Sequence, residues 1–128
     1  MSYTSLEIWQ LAREVVIQIH EMTLTQIHKF EMYEVGSQIR KSSKSIKSNI
    51  VEGYGRRFYK QEFIHFLYIA KASADETKDH LDILYDTKSL TNREIYENLS
   101  RKMDKLNRQL YHFIETVKTN HNRLYPEK

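Results

Sequence analysis

The sequence predicts an all-α protein, a bundle of four helices. The 128 residues include only three glycines and one proline, which leaves little material for the tight turns of a sheet protein. Apolar residues recur at three- and four-residue steps through four long segments, as in amphipathic helices. Four such helices joined by short connections pack most simply as an antiparallel up-down bundle. We therefore expect a single domain over residues 1–118.

The first predicted helix runs from about Ser5 to about Thr23, with Ser5 as its N-cap. Its apolar positions step by three and four residues, and they are the expected core face: Leu6, Trp9, Ala12, Val16, Ile19 and Met22. Residues 25–33 mix threonine, histidine, lysine and aromatic residues without a period, so we predict a connection there.

The second predicted helix begins between Glu31 and Gly36 and ends near Gly53 and Gly55, which are expected to adopt left-handed caps. Apolar and small residues share one stripe of this helix. Its small polar inward candidates bury little apolar area but let helix backbones approach: Ser42, Ser43, Ser45, Ser48 and Asn49. This seam predicts a tight helix crossing or a contact between subunits.

A third periodic segment predicts a helix from Lys60 to Tyr85, followed by a polar turn over residues 86–90. Its expected core positions lie on one stripe: Phe63, Phe66, Leu67, Ala70, Ser73, Ala74, Thr77, Leu81 and Leu84. Thr91 and Glu94 then have the spacing of a capping box.

The fourth predicted helix follows this capping box and continues to Val117 on an alternation that resembles a heptad repeat. The positions of its apolar stripe are Ile95, Leu99, Met103, Leu106, Leu110, Phe113 and Val117. Residues 119–128 contain two asparagines and the only proline, so we expect a tail that frays.

The net charge of +3 is distributed unevenly along the chain. Residues 36–60 contain seven bases and one acid, and residues 61–98 contain four bases and eight acids. Residues 1–35 are acidic and residues 99–128 are basic. Two interpretations stay open, because alternating signs can attract neighbouring antiparallel helices and a basic face can also bind nucleic acid.

The absence of cysteine excludes disulfides, thiolate catalysis and cysteine-based metal sites. The first residues lack a basic region followed by an apolar core, and no uncharged apolar run approaches the length of a membrane span. We therefore expect an unprocessed cytoplasmic protein with no membrane contact.

Catalytic and metal-binding patterns are weak. Glu62 and His65 have the Glu-x-x-His spacing of di-iron bundles, but a second copy of the motif is missing. Two other pairs, one turn apart among charged neighbours, are expected to lie at the surface: Glu76 with His80, and His112 with Glu115. No nucleophile elbow or phosphate loop is present. We expect no metal, no cofactor and no catalytic residues.

Bases and aromatic rings interleave over residues 54–60, between the second and third helices. In one interpretation the basic side chains contact RNA phosphates while the aromatic rings stack on unpaired nucleobases. In the other, Phe58 and Tyr59 pack on the bundle end, and Arg56 and Arg57 cap helix carbonyls.

The sequence also contains the pattern S-I-x-x-N-I-x-E-G, preceded by Leu6 and Trp9 and followed by Glu62 and Phe63. These residues resemble the bacterial four helix bundle protein family, also called the 23S rRNA-intervening sequence protein family. The resemblance covers about residues 5–117 and is strongest over residues 38–76. The signature residues are Ser45, Asn49, Glu52 and Gly53.

The resemblance implies an up-down four-helix protomer and a ring-shaped homo-oligomer, with a pentamer as the expected size. A related branch includes accessory proteins of diversity-generating retroelements, which implies nucleic acid and a reverse-transcriptase-like protein as partners. The family supplies no catalytic residues. Val51, where the family often has alanine, and the segment 71–73 are mild departures from its pattern.

Two functions of different class follow from these observations. The first is a non-enzymatic protein that binds structured RNA or a nucleoprotein partner through a basic surface, with Tyr54 and Tyr59 as stacking groups. Its expected phosphate contacts are Arg40, Lys41, Lys44, Lys47, Arg56, Arg57 and Lys60. The alternative is an assembly or adaptor module without a nucleic-acid role. In both, the signature residues are expected to be structural, with Asn49 and Glu52 hydrogen-bonded across helices or to free amides.

Overall fold

The computed structural model describes residues 2–126, and these form four long helices and one short helix without a strand. The helices in chain order are α1 (Glu7–Thr25), α2 (Lys29–Met32), α3 (Val35–Gly55), α4 (Lys60–Asp86) and α5 (Arg93–Leu124). The prediction of an all-helical protein with four long helices is confirmed. No helix within residues 2–126 is both long and apolar enough to cross a membrane.

The four long helices enclose one apolar core. Helices α3 and α5 each pack against both α1 and α4, so α3 and α5 occupy opposite corners of the bundle. The contacts between α3 and α4 join early residues of one helix to late residues of the other, as in the hydrogen bond between Ser42 and Thr77. The largest fully buried side chains are Phe63, Ile19, Ile39, Ile46, Ile50, Leu67, Leu81, Leu84, Leu90, Leu99, Met103 and Leu106.

Helix α1 uses a broader core face than its predicted stripe. The structure buries Ala12, Ile19 and Met22 as expected, but Leu6, Trp9 and Val16 are only partly buried. Three residues that the stripe omitted lie in the core: Ile8, Leu11 and Val15. Because α1 is apolar around much of its circumference, three- and four-residue spacing fits more than one stripe. Packing against α3 and α5 decides which stripe is inside.

The predicted N-cap of α1 is wrong. Ser5 belongs to a short 3-10 turn over Tyr3–Ser5, and its hydroxyl donates to the carbonyl of Ser2. Leu6 occupies the N-cap position without a side-chain hydrogen bond to the helix. The 3-10 turn already satisfies local backbone groups, so α1 begins one residue later than a cap at Ser5 would place it.

The connection between α1 and α3 contains α2 and is anchored by a buried acid. Glu31 is 8% exposed. Its Oε1 accepts the backbone N–H of Val35 at 3.3 Å, and its Oε2 accepts the Ser89 hydroxyl at 3.0 Å. Ile27 also pairs with Leu90 in an isolated antiparallel bridge. The loop before α3 is thereby fixed to the turn between α4 and α5.

The predicted left-handed glycine caps are wrong. Within residues 2–126 the only positive φ belongs to Lys88, at 64°, in the turn after α4. Gly53 lies inside α3, and Gly55 is its last residue, where the helix was expected to end. An added Cβ on Gly53 would lie 3.1 Å from Phe66 Cβ. Gly53 is therefore a point of close helix approach rather than a helix stop.

Both ends of α5 differ from the prediction. Asn92, not Thr91, is the N-cap, and its Oδ1 accepts the backbone N–H of Ile95 at 3.1 Å. The helix continues through residues 119–124, where we expected fraying, with a local irregularity at Asn120. The buried His121 explains this extension, because its ring forms a 2.7 Å hydrogen bond to the carbonyl of Arg57. Residues 127–128 of the expected tail lie outside the described residues.

Candidate nucleic-acid interface

The polar seam of α3 is a structural contact with α4. The hydroxyls of Ser45 and Ser73 are 2.8 Å apart, and Thr77 donates to Ser42 at 2.8 Å. Asn49 Nδ2 donates to the carbonyl of Ser45 at 2.8 Å. Among the small inward candidates, Ser42 and Ser43 are buried, Ser45 and Asn49 are partly buried and Ser48 is exposed. Pairing of these hydroxyls satisfies polar groups that the close approach of the two helices would otherwise bury without a hydrogen-bond partner.

Arg40 is the base of α3 that turns most fully inward. Its Nη1 donates to Thr23 Oγ1 at 2.9 Å, and its Nη2 donates to the carbonyl of Met32 at 2.9 Å. The guanidinium thus ties the end of α1 and the end of α2 to α3. Arg40 serves the protein interior, although the sequence groups it with the expected phosphate contacts.

The other three bases of α3 lie on the outside of the bundle, and two of them, Lys44 and Lys47, lie beside α1. Lys41 and Lys44 are exposed, and Lys47 Nζ lies 5.5 Å from the centroid of the Trp9 ring. Within residues 2–126 none of these lysines forms a salt bridge. Their charges are therefore available to an external anion.

Lys44 and Lys47 line a groove between α1 and α3, here named the basic groove. Its lining residues are Arg13, Val16, Ile17, Lys44, Lys47 and Ser48, and its volume is about 550 Å³. The floor is aliphatic, and the polar residues of the rim are three bases and a serine. Arg13 is a base that sequence analysis missed. It stands alone among acids on α1, so only the packing of α1 on α3 reveals its partners.

The two arginines of the connection between α3 and α4 are held by the protein. Arg57 stacks between the rings of Tyr54 and Phe58, at 4.4 and 4.8 Å, and donates to the carbonyl of Tyr54. The guanidinium of Arg56 forms ion pairs with Glu52 at 3.6 Å and with a glutamate on α4. Tyr54 is buried, so its ring packs in the core rather than facing a ligand.

Of the two predicted stacking residues of the connection, only Tyr59 is accessible. The Tyr59 side chain is 68% exposed, and Lys60 is partly exposed. Arg56 lies 15 residues beyond Lys41, about 22 Å along a helix. The nine predicted contact residues thus divide into the exposed lysines of α3, a separate connection at the end of the bundle, and side chains used internally.

The sequence model of the 23S rRNA-intervening sequence proteins matches residues 4–112, most of the chain. The chain belongs to the 23S rRNA-intervening sequence protein family. A crystal structure of a protein of unknown function from the S23 ribosomal protein family of Bacteroides thetaiotaomicron is similar to it, with a TM-score of 0.73 and 29% identity. The match covers 85% of this chain and 96% of that one. No curated protein matches the chain.

In this member of the 23S rRNA-intervening sequence protein family, the signature residues serve different contacts. Ser45 and Asn49 belong to the polar seam, and Gly53 allows α3 to approach α4. Glu52 is exposed and forms its ion pair with Arg56, the residue that follows the end of α3. Ser45 and Gly53 therefore explain how α3 packs on α4. Asn49 bonds to Ser45 within α3 and Glu52 pairs with the next turn, so the expectation that they bond across helices or to free amides is wrong.

The Glu–His pairs of this family member do not converge. Glu62 pairs with Arg56, and the ring of His65 contacts Phe66. Glu76 and His80 form the expected surface pair at 3.3 Å, whereas Glu115 pairs with Lys118 instead of His112. The described part of the chain holds no group of three or more potential metal ligands.

A polar cluster joins α4 to α5 on the side away from the basic groove. Tyr96 Oη donates to Asp82 Oδ1 at 2.7 Å, and Lys78 Nζ donates to the same carboxylate at 2.9 Å. The hydrogen bond to Asp82, with burial, raises the pKa of Tyr96. Burial lowers the pKa of Lys78, but the hydrogen bond and charge of Asp82, with smaller contributions from Tyr96 and Asp104, leave it raised.

Proposed function

We propose that this protein is a non-enzymatic, cytoplasmic RNA-binding protein whose basic groove contacts the phosphate backbone of structured RNA. The observation that carries the proposal is the convergence of Arg13, Lys44 and Lys47 on one groove without acidic partners. Lys41 extends this charge along α3 by one turn. A row of basic side chains without acidic partners favours phosphate contacts, because binding releases the counterions condensed on the nucleic acid.

The proposal places the main contacts on α3 rather than in the connection after it. Arg56 and Arg57 already interact with carboxylates and rings, so using them for RNA would cost those contacts. Tyr59 remains a candidate for stacking on an unpaired base, since its ring is largely exposed. Lys60 lies beside it at the start of α4.

We further propose that the protomer is an antiparallel up-down bundle that assembles into a ring-like homo-oligomer. The family resemblance favours a pentamer. Exposed apolar side chains outside the basic groove support self-association, since Leu24 is 53% exposed and Phe30 is 63% exposed. In a ring the basic groove would be repeated, so weak contacts with one RNA would add through multivalency.

The test is fluorescence anisotropy of a labelled large-subunit ribosomal RNA fragment at several salt concentrations. Replacing Lys41, Lys44 and Lys47 with glutamine should weaken binding and reduce the slope of log K against log salt by ~2 to 3, since each lost phosphate contact removes nearly one unit. The matched control replaces three bases outside the groove with glutamine: Lys71, Lys88 and Arg123. An equal effect of both triple variants would overturn the groove as the binding surface.

The alternative function is an adaptor that binds a protein, such as a reverse-transcriptase-like partner. The exposed apolar strip of α1, which includes Ile17 and Leu24, favours this alternative. RNA binding that disappears near physiological salt, for wild-type protein and control alike, would support the adaptor. Size-exclusion chromatography with light scattering would measure the oligomeric state under the same conditions.

A further inference from the structure

Helix α5 carries a row of bases on the face directed away from the core. Arg101, Lys105 and Arg108 follow one another at steps of four and three residues, and His112 follows after four more. All four are exposed. Helical geometry places them on one stripe about 16 Å long, here named the α5 stripe.

The three permanent charges of the α5 stripe have no partner inside the protein. Among residues 2–126, Arg101, Lys105 and Arg108 make no salt bridge and no side-chain hydrogen bond. The neighbouring Lys102 is different, since it reaches Glu14 of α1 at 4.0 Å. Asp104 lies on the α4 side, where it is one of the charges acting on Lys78. Within the described residues, acidic residues on the neighbouring helices therefore do not form salt bridges with the α5 stripe.

The α5 stripe and the basic groove lie on different sides of the bundle. Helix α5 stands at the corner opposite α3, because each of these helices packs against both α1 and α4. An RNA segment bound at the basic groove cannot also contact basic side chains on the far side of the same protomer. The stripe is thus a separate surface rather than an extension of the groove.

We propose that the α5 stripe is a second phosphate-binding surface, which takes an RNA segment independently of the basic groove. This inference rests on the proposed function, in which the ligand is RNA. A row of cations without an aliphatic anchor suits a phosphate backbone better than a protein interface, whose centre is depleted of lysine and built on apolar groups. Tyr111, 53% exposed on an adjacent face of α5, is available to stack on an unpaired base.

Two independent surfaces predict two RNA segments per chain, whatever the oligomeric state. The experiment titrates a labelled eight-nucleotide RNA into the full-length protein at low salt and at concentrations above Kd, and it measures bound RNA per chain. We expect two equivalents for wild-type protein. We expect one equivalent for the stripe variant R101Q/K105Q/R108Q and one for the groove variant K41Q/K44Q/K47Q. Circular dichroism checks that each variant remains folded.

The outcomes separate this inference from the proposed function. A stripe variant that retains the wild-type stoichiometry overturns the α5 stripe and leaves the groove standing. If the stripe variant binds less RNA per chain than wild-type protein and the groove variant binds as much as wild-type protein, the α5 stripe is supported and the basic groove is overturned. No binding by wild-type protein overturns both. Displacement of RNA from the stripe by polyglutamate at equal charge concentration overturns RNA as its ligand and favours an acidic protein.

Discussion

Replacing Gly53 with alanine tests whether the close approach of α3 to α4 sets the stability of this fold. An alanine Cβ would lie 3.1 Å from Phe66 Cβ and 3.3 Å from Phe63 Cδ1. A Cβ atom moves only with its backbone, and the Phe63 side chain is fully buried. The new methyl group can be accommodated only if the two helices separate by a few tenths of an ångström.

Two opposing terms decide the magnitude. Alanine in place of glycine within a helix stabilises the folded state by roughly 0.5–1 kcal/mol. Overpacking a tight contact costs about 1–3 kcal/mol. We therefore expect Gly53→Ala to lower the free energy of unfolding by about 1 kcal/mol.

Gly55→Ala is the matched control, because it adds the same methyl group to the same helix. No atom lies within 4 Å of the Cβ that it would introduce. The helix term then acts alone, so this variant should be more stable than wild-type protein by up to about 1 kcal/mol. The two alanine variants should differ by about 2 kcal/mol in total.

Urea unfolding followed by circular dichroism, at one fixed chain concentration, measures this difference. In a thermal scan, 1 kcal/mol corresponds to about 3–5 °C for a chain of this size. A Gly53→Ala protein as stable as the Gly55→Ala protein would refute the reasoning, because the helices would then have room for the methyl group.

Three further predictions concern polar contacts. Tyr96→Phe should cost about 1 kcal/mol at neutral pH by removing the hydrogen bond to Asp82. Because folding raises the pKa of Tyr96, the protonated hydroxyl stabilises the folded protein below pH 10, and this stabilisation is lost as pH rises through the folded pKa. In urea unfolding at alkaline pH, the Tyr96→Phe variant should therefore lose less stability than wild-type protein. Arg40→Gln should cost about 1–3 kcal/mol in chemical unfolding, because the guanidinium donates a hydrogen bond to Thr23. In the anisotropy assay the same variant should leave the salt slope of RNA binding unchanged, because the guanidinium is directed inward. Thr77→Val should cost about 1 kcal/mol by chemical unfolding because a buried serine of α3 loses a partner, and an unchanged midpoint would show that this seam adds nothing to stability.

The candidate site was only partly predictable from the sequence. The basic run of α3 was evident from residues 36–60, and Lys41, Lys44 and Lys47 are accessible to an anion. The inward turn of Arg40 was not predictable, because a long side chain reaches partners 8 and 17 residues away only after α1 and α2 have packed. Arg13 gave no signal for the same reason, since its neighbours in the groove come from another helix.

By itself the sequence determined the helical class, the number of long helices and most of their boundaries. Helical periodicity is local, so apolar spacing and the scarcity of glycine and proline were enough for α3 and α4. The tertiary structure decided which stripe of α1 is buried, why Gly53 is glycine, and where α5 ends at Leu124. These features depend on contacts between residues distant in the chain, such as the hydrogen bond from His121 to the Arg57 carbonyl. Local spacing cannot encode the distance between two helices, and only their packing sets it.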